Sequence, residues 1–169
     1  MTIGGDNMPE ENYTSKFRVD VSDLKKGLSD ANQAIKKANA EFKNATAGTK
    51  DWEKSADGLT AAITSQRKVI EEEEKKLSLL KEQLGRLNDA QKNGEKIVSD
   101  LSAKYNEAAE KYGATSEEAK KYAKQLSDAE SAQERNRKAA EKLELQIINQ
   151  DTALKKAKAQ CGDYETALD

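Results

Sequence analysis

Four consecutive carboxylates, Glu71 to Glu74, and one thiol, Cys161, are the residues from which this chain would most readily build chemistry. A carboxylate block suggests a hard-cation site, and a thiol suggests a nucleophile. Neither has the company it needs. Carboxylates on a helix splay, whereas a hard cation needs several oxygens converging on one point. Glu71 and Glu72 stand four residues before Lys75 and Lys76, the favourable order for ion pairs on a solvated helix face. The chain has no histidine, so the commonest general base and metal ligand is missing. It also has no glycine-rich phosphate loop, and its other carboxylates lack a concave apolar site to shift their pKa values. The expectation is a protein that is not an enzyme, with no catalytic residue, cofactor or metal site. Cys161 falls on an apolar seam and reads as a small core residue. In a parallel homo-oligomer, copies of Cys161 would meet across the axis and could form an interchain disulfide.

Composition narrows the class. Of 169 residues, 36% are hydrophobic, 5% aromatic and 36% charged, with a mean hydropathy of -0.96. That is little apolar volume for a globular core, but a seam between helices needs only about two residues in seven. Twenty-nine basic and thirty-one acidic residues are interspersed, with no basic stripe for nucleic acid and no acidic surface. One cysteine excludes a disulfide framework and multi-cysteine metal sites. No apolar run reaches the roughly 18 residues of a membrane span. The N-terminus has no apolar signal region, so the expected compartment is a reducing cytoplasm or an assembled particle.

The elements that carry these residues follow one rhythm. Leu24, Leu28, Ala31, Ile35, Ala38, Phe42 and Ala45 are spaced alternately four and three apart, the a/d pattern of a coiled coil. The same phase, unshifted, reaches Trp52, Leu59, Leu101, Tyr122, Leu143 and Leu168. Retained phase over about twenty heptads implies nearly colinear helices or hairpin arms sharing a seam. Fully extended, residues 24 to 168 would span roughly 220 Å; in a hairpin bent at Gly113, the arm formed by residues 51–112 would be about 90 Å. The expected seam and partner contacts are Leu24, Leu28, Ile35, Phe42, Trp52, Leu59, Ile63, Ile70, Leu77, Leu84, Leu101, Leu126, Leu143, Ile147 and Leu154. Gln66, Glu73, Gln91, Gly94, Gln133, Asn136 and Gln150 are polar or empty slots in it, and buried amides at such slots fix register at a cost in stability.

Residues 1–16 read as a disordered leader. Residues 17–47 combine a short extended segment, Phe17 to Val21, with a first helix capped by Ser22 and stopped near Gly48. Residues 51–112 form a long coiled-coil helix with a break or a weak point at Asn93-Gly94. After Gly113, Thr115 and Glu118 fit a capping box, and a second coiled-coil helix fills 115–169, where the running seam suggests truncation. The fold expected is all-α: long heptad-patterned helices in an extended coiled coil or helical hairpin, with no compact globular core.

The wording of the first stretch carries a resemblance. Phe17-Arg18-Val19-Asp20-Val21-Ser22-Asp23-Leu24-Lys25-Lys26-Gly27, then Ala38-Asn39-Ala40-Glu41-Phe42-Lys43, then Asp51-Trp52 and Lys54-Ser55-Ala56-Asp57-Gly58-Leu59 closely resemble the N-terminal region of tape measure proteins from long-tailed phages and prophages of Gram-positive bacteria. The resemblance covers the chain after residue 16, and its first forty-odd residues are the specific part. It implies a helical structural protein, present in several copies in the lumen of the virion tail tube and in the host cytoplasm during assembly. Its partners would be itself, as a homo-oligomer, and tail tube or tail assembly proteins, with no specific nucleic acid and no membrane segment in this portion. Such proteins set tail length through their own length. Members of that family run to many hundreds of residues, so this chain would be an N-terminal portion, a truncated prophage gene or a short relative. The alternative from the residues alone is a coiled-coil scaffold or adaptor that binds a helical partner.

Overall fold

The computed structural model describes residues 13–169. Its elements are α1 (Tyr13–Lys16), α2 (Ser22–Thr46), a 3-10 turn (Trp52–Lys54), α3 (Ala56–Tyr112) and α4 (Glu117–Leu168). The class is all-α, with no strand among the described residues. The disordered leader expected over residues 1–16 lies mostly outside the described residues; its last four, Tyr13–Lys16, form α1 instead. The alternating Phe17–Val21 segment forms no strand either. Arg18 N donates to the Ser15 carbonyl at 3.1 Å, closing the turn after α1, and Phe17 is buried. Alternation makes a strand only beside a neighbouring strand, and here helices take up the apolar residue.

The helix ends show what stops and starts each element. Ser22 is the first residue of α2, not its cap. Val21 holds the cap position with no side-chain cap hydrogen bond, and just before it Asp20 Oδ1 accepts from Ser22 N at 3.0 Å and from Ser22 Oγ at 2.7 Å. After α2, Gly48 adopts a φ of 85°, the left-handed conformation that glycine reaches without strain. Ser55 opens α3 by accepting from Gly58 N at 3.0 Å. α3 then runs unbroken through Asn93-Gly94 to Tyr112. Gly113, at a φ of 89°, ends it. The cap of α4 is Ser116, whose Oγ accepts from Ala119 N at 3.2 Å, and not the expected Thr115. The helix begins at Glu117, so only Ser116 is placed to reach the amide of the third residue.

The chain divides into two units, each containing parts of α3 and α4. Among the described residues, the first comprises 13–19 and Leu87–Ala139; the second comprises Asp20–Arg86 and Ala140–Asp169. In the first, the end of α3 and the start of α4 form a hairpin about the turn at 113–116. Phe17, Leu101, Ala129 and Ala132 form its buried cluster, flanked by Tyr13, Ile97, Val98, Tyr122 and Leu126. In the second, α2 runs antiparallel to α3. Asp23 pairs with Arg86 at 2.8 Å, Ser65 Oγ donates to the Ala38 carbonyl at 3.0 Å, and Lys68 pairs with Glu41 at 3.0 Å. The end of α4 is also antiparallel to α3, with Gln150 at Glu73 and Gln66 at Ala157. The second unit is thus a three-helix bundle with α3 common to both contacts.

Alanine supplies nearly half of the buried apolar positions, and Leu101 is the one large side chain that is fully enclosed among the described residues. Small residues let helix axes come close, so burial is obtained with little side-chain volume. Two glycines take this furthest. A Cβ on Gly27 would stand 2.9 Å from Leu79 Cδ1, and one on Gly94 would stand 2.5 Å from the Phe17 ring. Gly85, by contrast, faces open space. Gly85→Ala is therefore expected to stabilise the protein by about 1 kcal/mol, the helix-propensity difference. Gly94→Ala is expected to destabilise it by about 1 kcal/mol, because overpacking outweighs that gain. Denaturant midpoints check both, and equal shifts for the two variants would contradict the packing of Phe17 on α3.

Candidate functional site

The fifteen seam residues are all removed from solvent to some degree. Leu24, Leu59, Ile63, Leu101, Leu143 and Leu154 are buried; Leu28, Ile35, Phe42, Trp52, Ile70, Leu77, Leu84, Leu126 and Ile147 are half-buried. Leu101 and Leu126 belong to the first unit and the other thirteen to the second. Helices of the same chain cover the seam in each unit. Two further seam positions, Tyr112 and Leu168, are exposed.

The polar slots join helices through backbone carbonyls. Gln66 Nε2 donates to the Ala157 carbonyl at 3.2 Å. Gln150, itself buried, donates to the Glu73 carbonyl at 3.1 Å and also to the Glu73 carboxylate. Asn136 Nδ2 donates to the Phe17 carbonyl at 3.0 Å. The Glu73 and Ala157 carbonyls, already in helix ladders, keep a second lone pair for an amide from the neighbouring helix, whereas the Phe17 carbonyl lies outside any helix. Each amide therefore works as a register key for its own pair of elements.

The carboxylate block disperses. Glu73 pairs with Lys76 at 3.3 Å, Glu72 with Lys75 at 3.7 Å, and Glu74 reaches across to Lys158 on α4 at 2.7 Å. The expected Glu71–Lys75 and Glu72–Lys76 pairs give way to these, because contact with α4 draws the middle of the block inward. Among the described residues no group of acidic or sulfur ligands could hold a metal ion, and no helix is long and apolar enough to cross a membrane.

Trp52 closes one end of the second unit. Its ring stands edge-on to Phe42 at 4.9 Å and to Tyr164 at 5.8 Å between centroids, joining the 3-10 turn to the ends of α2 and α4. A Cβ on Gly58 would strike the Trp52 carbonyl oxygen, so the turn folds tightly onto the first turn of α3. Cys161 is buried nearby, its Sγ 3.8 Å from Glu165 Oε1. Burial, then the Glu165 charge, pushes its thiol up from the ordinary value, which keeps it protonated and unreactive.

Several residues that shape these contacts lie outside the seam. Ala62, Ser65 and Val69 are buried on a second stripe of α3, and their apolar spacing one position before the seam was the available signal. Leu145 and Ile148 are the large apolar residues, off the seam, that α4 exposes on one face. Their i, i+3 spacing was likewise visible. Comparison with known proteins finds no match to this chain among protein families, among curated sequences or among solved structures.

Three measurements check this arrangement. Gln150→Ala is expected to cost about 1–2 kcal/mol, because Glu73 loses its buried donor; an unchanged midpoint would remove the register key. Cys161 is expected to react with a thiol reagent at neutral pH far more slowly than in denaturant. Equal rates would show that the second unit does not pack around it. The third is acid stability. Asp20 is held below its ordinary pKa by the Ser22 backbone N–H, Asp23 by Arg86, Glu41 by Lys68 and Asp151 by Lys155. Arg137 lowers Glu134 from 4.5 to about 2. Above those ordinary values the folded chain gains stability from these carboxylates, and it loses that gain as they protonate in the fold. The thermal midpoint should therefore fall as pH drops from 4.5 towards 2.

Proposed function

We propose that this chain is the N-terminal portion of a phage tail tape measure protein, a helical ruler and scaffold in the tail tube lumen. The observation that carries the reading is the Phe17–Leu59 wording, set at the head of a chain whose α3 alone continues for 57 residues without interruption. A helix adds about 1.5 Å for each residue, so a protein that stays helical converts gene length into physical length in direct proportion. The finer form of the fold in this reading is an extended coiled coil or a helical hairpin. The protein acts by its length and its contacts and not by catalysis. Its partners are further copies of itself and the tube and assembly proteins that polymerise around it. Its place is the virion tail, reached from the host cytoplasm during assembly.

The thin core suits that role. A seam rich in alanine and interrupted by Gln66, Glu73, Gly94, Asn136 and Gln150 makes contacts that can be separated again, which a rod that must leave the tube ahead of DNA requires. The exposed pair Leu145 and Ile148 favours a second reading, a scaffold that receives a helical partner on the outer face of α4.

Inserting or deleting whole heptads within α3 of the protein, in its phage, tests the ruler. Tails seen by electron microscopy should change by about 10 Å per heptad. Tails of unchanged length would refute it.

A further inference from the structure

The first unit contains a receptor for one side chain. Two departures from the seam, Gly94 and Asn136, converge on the same residue. Gly94 leaves the gap that the Phe17 ring fills, with no room for even a Cβ, and Asn136 Nδ2 donates to the Phe17 carbonyl at 3.0 Å. Leu101, Ala129 and Ala132 wall the site, and Phe17 is 4% exposed. Beside it Lys104 Nζ donates to Tyr13 Oη at 3.3 Å. The groove thus reads an aromatic ring and the backbone carbonyl that follows it. Nothing in those contacts depends on which chain supplies them.

The occupying arm, Tyr13 to Phe17, is short and joins the next helix through a brief connection. After Phe17 only Arg18 and Val19 precede Asp20, whose carbonyl accepts from Arg86 Nη1 at 2.9 Å. Those two residues belong to no helix or strand and form a ready hinge. We propose that this arm is exchangeable, so that the groove of one copy takes the Tyr13–Phe17 arm of a second copy. Exchange of an identical element breaks and re-forms the same contacts, which is why it is a low-cost route to association. A tethered arm has the advantage of high effective concentration in dilute solution. Copies held side by side offset that advantage, and this last step rests on the tail-tube reading.

Two full-length variants separate the arm from its groove. Phe17→Ala keeps the groove and removes the key; Gly94→Val keeps the key and fills the groove. Light scattering after size exclusion should show a heavier, one-to-one species in the mixture that neither variant forms alone. A fluorescent peptide of residues 13–21 should bind Phe17→Ala at least tenfold more tightly than it binds the wild-type chain, whose groove is occupied. Circular dichroism establishes that each variant keeps its helices. If Gly94→Val does not, the peptide titration decides by itself. Folded variants that fail to associate, or a peptide that binds both proteins equally or neither, would overturn the proposal. Neither measurement involves tails, so its outcome is separate from that of the length experiment.

Discussion

A shortage of apolar side chains governs this structure. With 36% hydrophobic residues and 5% aromatic, the chain has little apolar volume, and within each unit its helices meet along narrow, alanine-rich stripes. Two consequences follow on α3. In the second unit it must serve two neighbours at once, so Ala62, Ser65 and Val69 are buried in addition to the seam. In the first unit its groove is completed by an aromatic residue from outside the helix, at the position where glycine makes room. Both work because the buried residues are small, and close approach of helix backbones substitutes for large side chains.

Thin cores specify register poorly, because alanine fits almost anywhere along an alanine-rich stripe. The amides supply what the apolar contacts lack. Gln66, Gln150 and Asn136 each bind one backbone carbonyl on a neighbouring element, and sliding by a single turn would leave both partners unsatisfied in a partly buried setting. The surface ion pairs add little by comparison, since exposed pairs contribute weakly. Trp52 acts differently from both: it fixes the end of a bundle, where Phe42 and Tyr164 give it two edges to pack on.

The helices were legible because a four-and-three rhythm has only one structural meaning over such lengths. α3 follows from it directly, and the break at Gly113 follows from the glycine and the capping residues after it. What the rhythm could not supply was the partner of each stripe. Phe17 read as part of a strand because its neighbours alternate, and only the distant Gly94 and Asn136 reveal that it is a knob. The caps lie one residue from those the spacing predicts: Val21 in place of Ser22, and Ser116 in place of Thr115. Asp20, Ser22 and Asp23 stand together at one end and Thr115 and Ser116 at the other, and the choice among them depends on which amide each reaches. The carboxylate block forms ion pairs with partners other than the spacing predicts, and Glu72 and Glu73 are half-buried where a solvated face is expected, because the contact of α4 with Glu73 and Glu74 is long-range.

The proposed ruler function requires a chain that is extended in solution, since its length is its information. The radius of gyration in small-angle X-ray scattering addresses it most directly. A rod as long as α3, about 85 Å, has a radius of gyration near ~25 Å. A globule of the same residue number has one of about 15 Å. The account predicts a value at or above the first, with a scattering profile that identifies a rod. A value near the second would contradict it.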